Sequence, residues 1–249
     1  MLKTTWQQEC RILLEQEPED LETFNLMLPR SHCPYCQQMI AAYYNIPIIS
    51  YFMLKGRCAM CLHPISKRYP IIESITCVVS AFLAWHFGLG PQLWAALAFS
   101  YALIAITMID IDEQLIPDII TLPMIWLGLL LNTQHLFTTL DSAVIGAIAG
   151  YSSLWLFTKI YYLLTYKVGM GNGDFKLFAL FGAWIGWQVL PFIIICSSLV
   201  GAIIGIILML SKQADRNTAI PFGPYLAIAG WIAFLYGNHI NQLYINYAF

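Results

Sequence analysis

From Tyr69 to the C-terminus the chain alternates long apolar stretches with short polar breaks. About 20 apolar residues in a helix cross the hydrocarbon core of a bilayer. Seven stretches approach that length, over residues 70–88, 91–109, 118–134, 143–164, 175–188, 190–210 and 222–241. The fifth is short and joins the sixth tightly around Gln188 to Pro191, so a re-entrant pair is an alternative to two full spans there. Residues 1–68 are different in texture, with charge scattered throughout and an acidic run from Glu15 to Glu22. The pattern predicts an all-α fold: a polytopic transmembrane helical bundle of about seven helices over residues 69–249, preceded by a small polar domain over residues 1–68. The first 20 residues contain no long apolar core, so no cleavable signal peptide is expected.

Composition narrows the class further. The chain has 249 residues, 59% of them apolar and 10% charged, against roughly 25% charged in a soluble domain. That balance excludes a disordered chain, a nucleic-acid-binding domain and an ordinary cytosolic enzyme. The net charge of −2 says little, but the placement of the charges says more. Lys3, Arg11, Arg30, Lys55, Arg57, Lys67 and Arg68 all precede the first span, and Lys159, Lys167, Lys176, Lys212 and Arg216 complete the set. With the N-terminal domain in the cytoplasm and seven alternating helices, these last five fall in or beside the inner connections, at 110–117, 165–174 and 211–221. No Lys or Arg falls outside. The bias of basic residues toward the inner side therefore supports one orientation.

Four of the seven cysteines form two Cys-x-x-Cys knuckles, Cys33-Pro34-Tyr35-Cys36 and Cys58-Ala59-Met60-Cys61, with 21 residues between them. Two such knuckles can close four thiolates around a tetrahedral Zn²⁺, and the spacing is close to that of a zinc ribbon. An iron–sulfur cluster or two disulfides suit the same spacing, although the cytoplasmic side disfavours disulfides. A small polar domain needs such a staple to hold a fold. Cys33, Cys36, Cys58 and Cys61 are therefore the expected structural zinc ligands. Cys10, Cys77 and Cys196 read as apolar filler, and His32 and His63 as surface residues beside the knuckles.

Acidic residues are costly within membrane segments and mark function there. After residue 68 only Glu73, Asp110, Asp112, Glu113, Asp118, Asp141, Asp174 and Asp215 remain. Four cluster in the segment 108–118, and Asp174 ends Gly169-Met170-Gly171-Asn172-Gly173-Asp174. Both segments lie at the inner face in the derived topology. Plain roles exist for several of them: Asp118 after Pro117 as a helix N-cap, Asp174 as a cap of the next helix, Asp112 and Glu113 as solvated loop residues. The sharper reading is an aspartyl protease at the membrane surface. Two carboxylates at close range share one proton, so one acts as base on a water while the other polarises the scissile carbonyl. Glycines 171 and 173 would let a substrate backbone approach. The Gly-rich segment lacks the Lys-Ser/Thr of a phosphate-binding loop, and neither a Gly-x-Ser-x-Gly elbow nor a His-Glu-x-x-His pair occurs.

Taken in order, these motifs resemble the bacterial type IV prepilin leader peptidase/N-methyltransferase family along nearly the whole chain. The matching residues are the two Cys-x-x-Cys pairs, Lys67-Arg68-Tyr69-Pro70-Ile71-Ile72-Glu73, Ile109-Asp110-Ile111-Asp112 with Leu115-Ile116-Pro117-Asp118, Gly171-Asn172-Gly173-Asp174-Phe175-Lys176, and Pro221-Phe222-Gly223-Pro224-Tyr225. The resemblance implies a catalytic pair at Asp110 and Asp174, chosen over Asp112 by the family's interval of 64 positions, which these two residues reproduce. It implies a multi-pass protein of the bacterial inner membrane, with active site and N-terminal domain on the cytoplasmic side. The implied substrates are prepilins and the pseudopilins of type II secretion, cleaved after a Gly that ends a short basic leader. N-methylation of the new N-terminus from S-adenosylmethionine is implied as well. No methyl-donor site can be assigned, because no Gly-rich βα unit is present. The expected partners are these substrates and the lipid bilayer, with no nucleic acid. Family members carry a further transmembrane helix with a Gly-Ser-Phe-Leu-Asn-type motif before the cysteine domain, and this sequence aligns from the loop after it. The expectation is thus seven helices against the family's eight.

Two other classes of function remain to be separated. A non-enzymatic membrane assembly factor docking partners through its zinc domain would depend on the cysteines and not on the aspartates. A small transporter using intramembrane carboxylates is weaker, because the acids gather at one face rather than at the midplane.

Overall fold

The computed structural model describes Leu14 and residues 31–167, 169–211 and 221–248. Cys10, the run Glu15 to Glu22, Lys3, Arg11, Arg30, Lys212, Asp215 and Arg216 lie outside the described residues. The chain divides into two compact units, Met1–Val78 and Val79–Phe249.

Among its described residues the first unit contains two near-identical turns. In each, the first cysteine's N–H bonds to a carbonyl five residues on, and its carbonyl accepts from the residue after the second cysteine. The pairs are Cys33 N–H to Gln38 O and Gln37 N–H to Cys33 O, then Cys58 N–H to His63 O and Leu62 N–H to Cys58 O. Gln37 and Leu62 take the left-handed conformation, at φ 58° and 59°. Isolated antiparallel bridges, His32 with Met39 and Arg57 with Pro64, close the two turns. Between them lie a 3₁₀ turn, Ala42–Asn45, and a short helix α1, Ile49–Met53. The Glu73 carboxylate, in the next helix, accepts the N–H of Ile48 at 2.7 Å.

Among the described residues seven longer helices follow: α2 (Arg68–Phe87), α3 (Pro91–Glu113), α4 (Asp118–Asn132), α5 (Leu140–Thr165), α6 (Asn172–Ile185), α7 (Leu190–Leu210) and α8 (Gly223–Ala248). Their ends follow local chemistry. Pro91 opens α3, where a missing N–H costs nothing. Thr139 caps α5 by accepting the Ser142 N–H. Gln114 and Tyr166 end α3 and α5 in the left-handed conformation. Among the described residues α2, α3, α5 and α7 with its preceding 3₁₀ turn are long and apolar enough to cross a membrane, while α4 and Gly223–Gly237 are shorter apolar helices. The expected helical bundle is borne out, with some boundaries moved. Helix α3 runs to Glu113 rather than stopping at 109, so Asp110, Asp112 and Glu113 belong to its last turn and not to a loop. Asp118 is the first residue of α4, and Pro117 takes the N-cap position expected for it.

Helix α6 is the centre of the second unit. Its 14 residues span roughly 21 Å, short of the roughly 30 Å of a bilayer core. It is surrounded by protein: every residue from Phe175 to Trp184 except Lys176 is buried, with α4, α5 and α8 packed around it. Small residues permit this. On α5, Gly146 and Gly150 form a Gly-x-x-x-Gly seam whose added Cβ atoms would lie 2.6 Å from the Gly182 carbonyl oxygen and 2.8 Å from that of Phe178. At the far end Trp184 donates to the Met124 carbonyl at 2.8 Å. Buried Asn132 donates to the Ala183 and Trp184 carbonyls and accepts from the Phe137 and Thr138 N–H groups. Trp155, Leu199 and Ile206 are among the large apolar side chains left exposed on the helices of membrane-spanning length.

Candidate active site and metal cluster

Asp110 and Asp174 come from different helix ends and lie near each other. Asp110 lies in the last turn of α3 and is 5% exposed; Asp174 lies in the first turn of α6 and is 9% exposed. The two carboxylates are close enough for their charges to interact. Burial of both in an apolar bundle removes the water that would otherwise separate them electrostatically.

Two further segments complete the surroundings. Helix α8 begins at Gly223, whose N–H donates to Asp110 Oδ2 at 3.0 Å. The first N–H groups of a helix have no partner within it, so this one is available to a carboxylate. Ile116, buried in the α3–α4 connection, lies between the two helix starts. A Cβ on Gly173 would fall 2.8 Å from its Cβ, and one on Gly223 would fall 3.2 Å from its Cδ1. Gly173 is therefore a packing requirement against Ile116. The room for a substrate backbone expected at both glycines is found only at Gly171, whose added Cβ would meet nothing but the Asp174 carboxylate at 3.6 Å.

Beside the pair, Lys176 of α6 donates to both carboxylate oxygens of Asp118 at 2.6 Å. This bond links the starts of α4 and α6, and it neutralises one of the acids near the site. Asp112 and Glu113 stay exposed on the last turn of α3. Sequence reasoning missed the Gly223 donor, the Ile116 wedge and the Lys176–Asp118 pair. The Gly223-Pro224 step at a helix start was the one visible signal, because it pairs a residue without a side chain with one that has no N–H.

In the first unit the four sulfurs of Cys33, Cys36, Cys58 and Cys61 all lie within 4.8 Å of one another. Cys33 Sγ and Cys61 Sγ are 3.8 Å apart. Zn–S bonds of about 2.3 Å in a tetrahedron place neighbouring sulfurs about 3.8 Å apart, so the donor set fits zinc in both identity and spacing. The knuckle turns aim backbone N–H groups at the sulfurs. Those of Cys61 and Met60 draw the Cys58 thiol down to about 6, and those of Cys36 and Tyr35 also lower Cys33. At those two positions this favours the thiolate form that binds metal, whereas burial and the neighbouring thiols push Cys61 up to about 11. The expectation that four cysteines gather where a metal ion could be held is borne out.

Residues 97–206 match the type IV leader peptidase family, and residues 10–87 match the bacterial peptidase A24 N-terminal domain. The chain is 49% identical to a prepilin leader peptidase/N-methyltransferase of Pseudomonas aeruginosa, over 100% of this chain and 86% of that protein. The chain belongs to the type IV leader peptidase family. Proteins of the same description from Stutzerimonas stutzeri and Legionella pneumophila are 47% and 48% identical, over 100% and 99% of this chain and 86% of each relative. No solved structure matches it. Membership bears out the resemblance drawn from the motifs and makes the protein a peptidase and a multi-pass membrane protein.

Proposed function

We propose that Asp110 and Asp174 are the catalytic pair of a membrane aspartyl endopeptidase. It removes the basic leader of type IV prepilins and of type II secretion pseudopilins at the cytoplasmic face of the bacterial inner membrane. The observation that carries this reading is two buried carboxylates near enough for their charges to interact, supplied by the ends of α3 and α6, in a chain with few acids. One carboxylate takes a proton from a water as its oxygen attacks the scissile carbonyl carbon. The other, protonated, hydrogen-bonds the carbonyl oxygen and later supplies a proton to the leaving amine. Exposed Asp112 and Glu113 supply negative charge for the basic leader, strengthened at a low-dielectric membrane edge.

In this reading residues 1–68 form the cytoplasmic domain and residues 69–249 the peptidase domain. Zinc held by Cys33, Cys36, Cys58 and Cys61 pins the two knuckles together and is structural. The relatives' description also names N-methyltransferase activity, and we extend it to this chain, with S-adenosylmethionine as methyl donor. The described residues contain no strand–glycine-loop–helix unit that would receive that donor, so none is assigned to it and no step is derived through it.

The test is co-expression with a prepilin, read as a mobility shift on cleavage. Asp110→Ala and Asp174→Ala should each abolish processing while the protein still accumulates in the membrane. Normal cleavage by either variant refutes the pair. Loss of processing on removing the cysteines, with both aspartate variants active, would instead favour the assembly-factor reading.

A further inference from the structure

We infer that the backbone N–H of Gly223 is a positioning group for the carboxylate pair, fixing the orientation of the Asp110 carboxylate. The inference rests on the assignment of that pair proposed above.

Asp110 sits at the C-terminal end of its own helix, where the carbonyl end of the dipole disfavours negative charge. The Gly223 N–H reaches it from the opposite kind of terminus, the start of α8, and fixes Oδ2 at 3.0 Å. A carboxylate is planar, so fixing one oxygen on a given χ1 rotamer also places the other. The donor belongs to the backbone, so its position follows α8 and not a side-chain rotamer. Pro224, the next residue, has no N–H to compete for the carboxylate.

Glycine is required here for room and not for backbone conformation. The glycines with positive φ are Gly56, Gly88 and Gly186, and Gly223 is not among them. A Cβ at Gly223 would instead lie 2.6 Å from Asp110 Oδ2 and 3.2 Å from Ile116 Cδ1. Ile116 touches the corresponding space at Gly173, one residue before Asp174. One isoleucine thus spaces the α6 start from the α8 start, and the two starts carry Asp174 and the donor to Asp110.

The test uses the full chain purified in detergent, with a prepilin substrate and separate measurement of kcat and KM. Gly223→Ala keeps the N–H and adds the Cβ; Gly223→Pro adds the Cβ and removes the N–H at a position where helices tolerate proline. Gly223→Ala should lower kcat about tenfold with KM within about twofold, as expected for a misplaced catalytic group. Gly223→Pro should fall about tenfold further, the scale of one hydrogen bond to a charged group. Gly201→Ala is the control: its Cβ would press on the Tyr225 ring at 3.3 Å, crowding the same turn of α8 away from Asp110, and it should keep the wild-type kcat.

Equal kcat for the Ala and Pro variants overturns the inference. So does a loss confined to KM, or an equal loss in Gly201→Ala. If Gly223→Pro does not fold, Gly223→Ala decides: its Cβ displaces Asp110 Oδ2, so a kcat loss absent from Gly201→Ala supports the inference and a wild-type kcat overturns it. Asp110→Ala, run in parallel, separates the two levels. If it still cleaves, the catalytic assignment fails; if it is inactive and the Ala and Pro variants match, only the Gly223 inference fails.

Discussion

Gly146→Ala changes one methyl group on α5, on the seam with α6 and not at a carboxylate, and should nevertheless slow cleavage. Its Cβ would lie 2.6 Å from the Gly182 carbonyl oxygen and 2.9 Å from the carbonyl carbons of Gly182 and Gly186. All three contacts are backbone, so no rotamer change relieves them. Optimal contacts lie near 3.5–4.0 Å, so α5 and α6 must separate by roughly 1 Å. Overpacking of this kind costs about 1–3 kcal/mol. At about 2–4 °C per kcal/mol for a chain of this size, Tm should fall by about 2–12 °C. Helix α6 also carries Asp174, eight residues and about 12 Å along the axis from Gly182. A shift of about 1 Å passed along a helix held by α4, α5 and α8 misplaces that carboxylate, and misplacement on this scale costs up to about a hundredfold in rate. The assay is prepilin cleavage by purified protein, with a melting curve on the same sample. An unchanged Tm with full activity would refute the close packing of the seam. A lowered Tm with an unchanged rate would refute the mechanical link from the seam to Asp174.

Other expected outcomes follow from single contacts. Elemental analysis should find about one zinc per chain, the stoichiometry of one four-thiolate site, and Cys33→Ser with Cys58→Ser should remove it; metal retained in that double variant would refute the site. Lys176→Glu faces Asp118 with a like charge and should reduce activity by up to about fivefold, since half-exposed pairs are worth under about 1 kcal/mol. Restoring opposite charges with Asp118→Lys in the same chain should recover most of that loss, and no recovery would show that the pair does not link α4 to α6. Asn132→Leu leaves the Phe137 and Thr138 N–H groups and the Ala183 and Trp184 carbonyls without its amide. It should cost about 2–4 kcal/mol, by the penalty for stranding buried polar groups, and a melting temperature within a degree of wild type would contradict that.

Much of this protein was legible in one dimension because membrane sequences are written in extremes. An apolar run of helical length can satisfy its backbone in lipid only as a helix, so the existence and order of α2 to α8 followed from hydropathy. Two Cys-x-x-Cys pairs bring their sulfurs together through local turns, which is why the four-cysteine cluster was visible from spacing. Scarcity of charge marked the acids of segment 108–118 and Asp174, and the family resemblance carried by motif order chose Asp110 among them. Helix ends were read less well. The chain continues helical through Asp110, Asp112 and Glu113 because the last turn projects past the apolar stretch, and hydropathy does not register where hydrogen bonding stops.

What only the tertiary structure decided concerns contacts between residues far apart in the chain. Nothing local states that Gly223 donates to Asp110 across 113 positions, or that Ile116 fills the space beside both Gly173 and Gly223. Nor does local pattern show that Lys176 reaches Asp118, or that a helix too short for a bilayer is sheathed in protein along a glycine seam. Hydropathy and spacing act along one element at a time. The positions of the carboxylates depend on how helix ends from α3, α4, α6 and α8 pack against one another, and that is a property of the assembled bundle.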